Sequence, residues 1–461
     1  MSFAYGRSAL LGSGAAFILA TAATAASAAD TLAQRRAQMQ QQIEQLERRL
    51  TELEARKTDA RRMRRVAPAA AVEAGSRKRT WKLPGTNISM RIGGFAQLDL
   101  IYDINAFSGD GLSSDGASGG SFPSKGSAAA NRQGNFRLMA RRSRFYIRTW
   151  TPTDFGTLET RIEGDFFGTG GNQLISNSNS FRLRHAYGKL GPLLAGQTNS
   201  NFRFSEFEPR FFEDRGPAGL GGPRQGLVQY THSFGGGTEL AVSVENPETG
   251  RAATSTAFVG GTVAVSGAGA NDRVPDFAVS LRHKWSSGIV RIAGLFGERG
   301  IEDGAGTNGR DTMWGVQAGL VLAFNNKRTK VGIVFFYGEG IGRYFRGQPA
   351  EVAVSGLGSS SESVNSVRNY GGYAWIRHQW TNTLQTNLMY GRNNGDVEQH
   401  IAKALIPANT LDVHWTVHAN IVWEPIRDVA LALEYIFAKS QFHNAAAATV
   451  HRIQMTARYN F

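Results

Sequence analysis

The chain ends in His451-Arg452-Ile453-Gln454-Met455-Thr456-Ala457-Arg458-Tyr459-Asn460-Phe461. Alternate positions separate cleanly. Ile453, Met455, Ala457, Tyr459 and Phe461 share one side, and Arg452, Gln454, Thr456, Arg458 and Asn460 share the other. Successive side chains of a β-strand point to opposite faces, so this is a strand with one apolar and one polar face. A soluble sheet can carry the same dyad, and the upstream chain decides between the two. There the dyad recurs until sixteen strands are counted, and the polar sides are wet and rich in arginine. Lipid outside and water inside a closed antiparallel barrel require that pattern.

The expected strands lie near 88–102, 136–151, 156–167, 181–190, 193–199, 224–234, 238–246, 274–285, 288–299, 311–324, 328–344, 369–381, 383–393, 410–424, 428–440 and 451–461. Their connections alternate in length. Thr153-Asp154, Gly191-Pro192, Gly235-Gly236-Gly237, Ser286-Ser287, Asn325-Asn326-Lys327, Thr381-Asn382 and Pro425-Ile426-Arg427 are short, and the others run from 9 to over 30 residues. Short turns at one rim and long loops at the other is the bacterial barrel arrangement and demands an even strand number. Trp150, Trp285, Trp380, Trp423, Tyr459 and Phe461 sit near strand ends, as amphipathic rings at headgroup level do. The fold class expected is all-β: a 16-stranded antiparallel transmembrane β-barrel over 87–461, with an N-terminal α-helical coiled-coil segment.

The segments before it divide into three. Residues 1–29 read as a signal peptide: Arg7, an apolar run from Ala9 to Ala23, and the small-residue site Ala26-Ser27-Ala28. A retained anchor helix is the alternative. Residues 30–62 read as a periplasmic coiled coil, with a single solvated helix as the alternative. Leu32, Met39, Leu46, Leu53 and Ala60 recur every seven residues, with Arg36, Ile43, Leu50 and Lys57 as the companion series. Residues 63–86 form a basic linker, a solvated tether with anionic headgroups or peptidoglycan as alternative contacts.

Charge and composition exclude other classes. The chain has 461 residues, no cysteine and a formal net charge of +14. Without cysteine there are no disulfides, no thiolate metal sites and no lipid-modified cysteine. Such a charge suggests nucleic-acid binding, but the surplus is spread: 13 Lys/Arg against 7 Asp/Glu over 30–79, and 37 against 30 from Thr80 onward. No catalytic residues, metal ligands or cofactor motif emerge. His414 and His418 share a strand face but stand about 13 Å apart, too far for one metal. Gly219-Leu220-Gly221-Gly222 lacks the Lys-Ser/Thr of a phosphate loop.

The candidate selectivity residues are arginines on inward dyad positions: Arg142, Arg144, Arg148, Arg161, Arg182, Arg184 and Arg282. Guanidinium keeps its charge and binds carboxylate in a fork, and rings of Arg or Lys in a pore favour anions. Glu159, Glu163 and Asp165 face them, so the set is either an anion track or a neutralised ladder on the wall. A second candidate is the connection 200–223. It carries Phe202, Phe204, Phe207, Phe211 and Phe212, which need burial. Folded into the barrel, it would form a constriction with Arg203, Arg210 and Arg215. A trimer contact or lipid-facing loop is the alternative.

Several segments occur in a familiar order: Lys82-Leu83-Pro84-Gly85-Thr86, Ile92-Gly93-Gly94-Phe95, Arg142-Ser143-Arg144-Phe145, Asp154-Phe155-Gly156, Arg184-His185-Ala186-Tyr187, Ala195-Gly196-Gln197-Thr198 and Gly338-Glu339-Gly340-Ile341-Gly342-Arg343-Tyr344. With the heptad N-terminus, the chain resembles the DcaP-like family of outer-membrane porins over nearly its whole mature length. The resemblance implies a homotrimer of sixteen-stranded barrels with a periplasmic coiled coil. It also implies passive uptake of small anionic solutes, dicarboxylates especially, across the outer membrane of a Gram-negative-type bacterium. The partners expected are therefore further copies of this chain, outer-membrane lipid and small anions. A structural or adhesive barrel with a closed lumen, and a phosphate- or sulfate-type channel, are the competing expectations.

Overall fold

The computed structural model describes residues 34–57, 72–105, 131–168, 172, 176, 179–213, 216–249, 252–254, 269–302, 308–347, 351–355, 363–402, 411–443 and 447–461. The expected leader, residues 63–71 of the linker, and Arg215 lie outside them.

The chain divides into two units, Met1–Glu73 and Ala74–Phe461. In the first, residues 34–57 form helix α1. Its heptad residues Met39, Ile43, Leu46, Leu50 and Leu53 are exposed in the single chain.

The second unit is a closed barrel. Its strands are β1 (Ser89–Asn105), β2 (Gln133–Met139 continued by Arg144–Thr153), β3 (Gly156–Asp165), β4 (Arg182–Leu190), β5 (Leu193–Asn199), β6 (Arg224–Gly235), β7 (Thr238–Glu245), β8 (Asp276–Trp285), β9 (Gly288–Glu302), β10 (Asn308–Phe324), β11 (Thr329–Glu339), β12 (Arg368–Gln379), β13 (Leu384–Gly395), β14 (Leu411–Trp423), β15 (Val429–Phe442) and β16 (Ala448–Asn460). Each pairs antiparallel with the next. β1 also pairs with β16, from Phe95 opposite Asn460 to Asp103 opposite Arg452, so no sheet edge remains. The sixteen expected strands are therefore present, and the last is the C-terminal strand of alternating apolar and polar residues.

Burial is inverted relative to a soluble protein. Leu98, Ile292, Ile333, Leu433 and Met455 are exposed on the outer face, while Gln97, Asp99, Gln317, His418, Glu434 and Arg452 are buried inside. Seven turns of two to five residues join strands at one rim, and all were expected. The turn at Asn325-Asn326-Lys327 holds three successive residues at positive φ (49°, 52° and 67°), where asparagine is tolerated far better than most side chains.

Three departures have physical reasons. First, β2 is broken. Four steps along β1, from Phe95 to Asp99, face five along β2, from Arg144 to Met139, a one-residue bulge. Ser143 Oγ accepts the Gln97 amide at 3.0 Å across the break. The bulge turns consecutive residues Arg141 and Arg142 both inward, which a regular strand cannot do. Second, the connections at 303–307 and 443–447 are shorter than expected, because the ladders continue after the outer face stops being apolar. Backbone pairing needs no apolar side chain once the strands have left the lipid. Third, two long loops meet in a small separate sheet of Ala252–Thr254, Val352–Ser355 and Ser363–Ser366. The end of the expected linker is also folded: Trp81 and Lys82 pair with Met90 and Ser89 of β1.

Candidate functional site

Segment 200–223 leaves the wall at the end of β5 and returns at β6. Its phenylalanines do find burial, and they find it inside the barrel. Phe202, Phe204 and Phe207 are at most 1% exposed and pack with Ala293, Met313, Val334, Phe336, Tyr373, Trp375 and Met389 from the inner faces of β9 to β13. The wall makes room for them: a Cβ on Gly319 would stand 3.0 Å from both Phe204 and Phe207. Polar wall residues then tie down the loop backbone. Trp375 Nε1 donates to Phe207 O at 2.8 Å, Asn420 Nδ2 to Arg210 O at 2.9 Å and Gln454 Nε2 to Phe212 O at 2.8 Å. The Phe212 amide donates to Glu434 at 2.7 Å, and the Ala218 amide to Thr416 Oγ1 at 2.9 Å. Such tethers from β12, β14, β15 and β16 mean that the segment crosses the lumen.

A second inward segment, 340–347, braces the first. Gly219 N donates to Arg346 O at 3.0 Å, and Arg346 N to Leu220 O at 3.1 Å. Phe345 stacks on Phe336 of β11 with centroids 3.5 Å apart. Tyr344 donates its hydroxyl to Asp276 Oδ2 at 2.6 Å, and burial together with that carboxylate pushes the phenol above its ordinary pKa. Arg299, fully buried, bridges Asp276 and Glu351 at 2.9 and 2.7 Å.

The arginines of β2, β3 and β4 converge on two buried carboxylates. Arg144 (3.1 Å) and Arg184 (3.4 Å) reach Glu163, and Arg161 is also bonded to it. Arg182 (2.8 Å) and Arg184 (2.6 Å) share Asp165. Arg148 is 4.0 Å from Glu159, and Arg142 is buried within electrostatic reach of Asp99. These six of the expected residues form one arc of wall. Arg282 stands apart, clamped between Glu206 of the loop (2.9 Å) and Glu239 of β7 (3.1 Å). Within the loop, Arg203 bonds Glu208 at 2.6 Å and Gly222 O at 3.1 Å, a staple inside the segment. Arg210 forks onto Glu424 in the turn after β14. Arg210, Arg203 and Arg282 thus hold the loop.

Sequence reasoning missed several inward arginines. Arg224, at the first position of β6, has Arg182, Arg184, Arg203 and Arg346 as electrostatic neighbours. Arg458 donates to Gln97 Oε1 at 2.8 Å, lies 4.2 Å over Phe95 and 5.3 Å over the loop's Phe212, and neighbours Arg142, Arg144 and Arg210. The polar side of the terminal strand did carry the signal for Arg458. Arg346 had none beyond its place after the Gly338 to Tyr344 run. His414 and His418 are buried against Ser440 and Glu434 at 2.9 Å, and among the described residues no cluster suits a metal ion.

A closed sixteen-stranded barrel with an apolar exterior, a polar interior and a loop folded across it defines an outer-membrane diffusion channel, not an enzyme. The family model described as a porin subfamily matches residues 81–459, and the chain belongs to that family. Among solved structures, it is similar to the outer-membrane channel DcaP of Acinetobacter baumannii, with a TM-score of 0.69 and 22% identity over 84% of this chain and 100% of that one. It is also similar to OmpF of Salmonella typhi, with a TM-score of 0.49 and 11% identity over 81% of this chain and 98% of that one. No curated protein sequence matches it. The resemblance to DcaP-like porins read from the sequence is supported by both the family and the fold.

Proposed function

We propose that this porin is a passive, anion-selective channel for small negatively charged solutes, with carboxylates and dicarboxylates as its main cargo. The observation that carries this is a charge imbalance inside the barrel. Glu163 and Asp165 between them serve four guanidiniums, those of Arg144, Arg161, Arg182 and Arg184. Arg224 and Arg458 add positive charge beside that group. A wall that is part ladder and part surplus suits transport, because conduction needs several weak contacts in place of one strong one. Guanidinium forks match carboxylate geometry, and they match phosphate and sulfate equally. The exposed heptad seam of α1 fits self-association into a homotrimer, with a solution mass of three 50.0 kDa chains less their leaders as the expected value.

Swelling of liposomes carrying the protein tests the cargo. Succinate should enter faster than a neutral solute of the same size, and a cation of that size should be slowest. The apolar cluster packed between the loop and β9 to β13 favours a second reading, an envelope barrel closed by its own loops. That reading predicts no swelling with any solute.

A further inference from the structure

Register places three arginines in one row. Arg91 of β1 lies opposite Arg148 of β2, Arg148 opposite Arg161 of β3, and Arg161 opposite Tyr187 of β4. Like charges directly opposite on neighbouring strands destabilise a sheet. Three in succession are a local conflict of the kind that a fold retains for function.

The row is a built feature. Tyr146, two residues from Arg148, lays its ring among the three guanidiniums, whose central carbons are 5.8, 5.7 and 5.5 Å from its centroid for Arg91, Arg148 and Arg161. It lies across β1 because residue 93 is glycine: a Cβ there would meet the Tyr146 hydroxyl at 2.5 Å and Cζ at 2.6 Å. Cation–π contact offsets part of the repulsion, and carboxylates offset it unevenly along the row. Arg161 is bonded to Glu163, Arg148 is 4.0 Å from Glu159, and Arg91 has the ring and no carboxylate as its partner among the described residues.

The height of the row follows from the same ladder. Tyr187 is opposite Gly196 of β5, which supplies no side chain, and the constriction segment leaves the wall four residues further on, at Ser200. The row therefore sits toward the short-turn rim, the periplasmic end in a bacterial barrel, the end that the crossing segment also reaches where Arg210 meets Glu424.

We propose that Arg91, Arg148 and Arg161, grouped round Tyr146, form a second anion-holding station on the wall at the periplasmic end of the lumen. Its ligand class is a compact dianion with oxygen acceptors, whether an inorganic oxyanion or a short diacid. Strand spacing makes the row about 10 Å long, so two guanidiniums can share one such ion. This rests on the anion-channel reading above.

The test uses the full-length protein in planar bilayers, inserted from one side, with inorganic sulfate as the probe. Sulfate added at the short-turn side should block chloride current in the unmodified channel. Arg91→Gln should raise the half-blocking concentration about threefold, the scale of one solvent-accessible ion contact. The shift should be smaller with sulfate at the long-loop side. Arg148→Gln, the second variant, should behave alike, and Arg91→Lys should recover part of the block. An unmodified channel that prefers anions, with block unchanged in both glutamine variants, refutes the station alone. A preference for cations refutes the channel reading and the station with it.

Discussion

Arg210 and Glu424, 214 positions apart, meet in a two-bond fork, Nη2 to Oε1 at 2.9 Å and Nη1 to Oε2 at 3.2 Å. One belongs to the segment crossing the lumen and the other to a short turn at the rim. Side chains on both sides of the fork are about a third exposed, so its strength is modest. Its value is positional: it pins the far part of a loop whose other anchors are mostly single hydrogen bonds. Glu424→Gln keeps the shape and loses the charge. Open-channel current noise should rise at least about twofold, the scale of losing one exposed ion contact, with mean conductance changed less. Single-channel recording checks this.

The same fork gives an acid dependence. Hydrogen bonding to Arg210 holds the Glu424 carboxyl below its ordinary pKa. A depressed carboxylate contributes stability that is present above its unfolded pKa and lost as pH falls through its folded one. Loop noise should therefore be flat near neutrality and grow as pH falls through and below the ordinary carboxylate range. In Glu424→Gln the noise should be present at neutral pH and should lack that acid rise. Recordings across pH 3 to 7 separate the two patterns.

Glu163 is the common partner of Arg144, Arg161 and Arg184 and is 1% exposed. Glu163→Gln should act in opposite directions on stability and selectivity. Breaking a buried ion pair costs about 3–5 kcal/mol, so the temperature at which the barrel unfolds in detergent should fall. The released positive charge should raise the chloride-to-potassium permeability ratio about twofold, within the range of a modest ion contact. A lower ratio would show that Glu163 orients the arginines more than it cancels them.

The phenylalanine seat tests what the loop does. Phe207→Ala removes a fully buried ring and should cost about 3–5 kcal/mol of packing. Deleting 203–215 removes the whole crossing segment, and single-channel conductance should then rise severalfold with selectivity reduced. Conductance unchanged by the deletion would mean that this segment does not set the width of the pore.

The barrel was legible because a bilayer imposes one rule on every strand. Residues such as Met455 and Ile333 must be apolar and residues such as Gln454 and Gln317 need not be, so period two survives along the whole chain. The rule stops where lipid stops, which is why the outer ends of β9, β10 and β16 run past the apolar pattern. Burial demand gave away the inward loop, since five rings cannot remain in water. What stayed hidden depends on contacts between distant residues. Nothing near Arg282 says that Glu206 will reach it, and nothing near Arg142 announces the bulge that turns Arg141 inward as well. Arg224 and Arg346 come together only when two loops fold into the same lumen.

A surplus of guanidinium in the lumen should set the sign of the charge that the barrel passes. The most direct measurement is the reversal potential of the reconstituted channel under a tenfold KCl gradient. Anion selectivity predicts a potential of the sign set by chloride, reduced toward zero at high salt as the arginine wall is screened. A potential of the potassium sign, or no current at all, would contradict it.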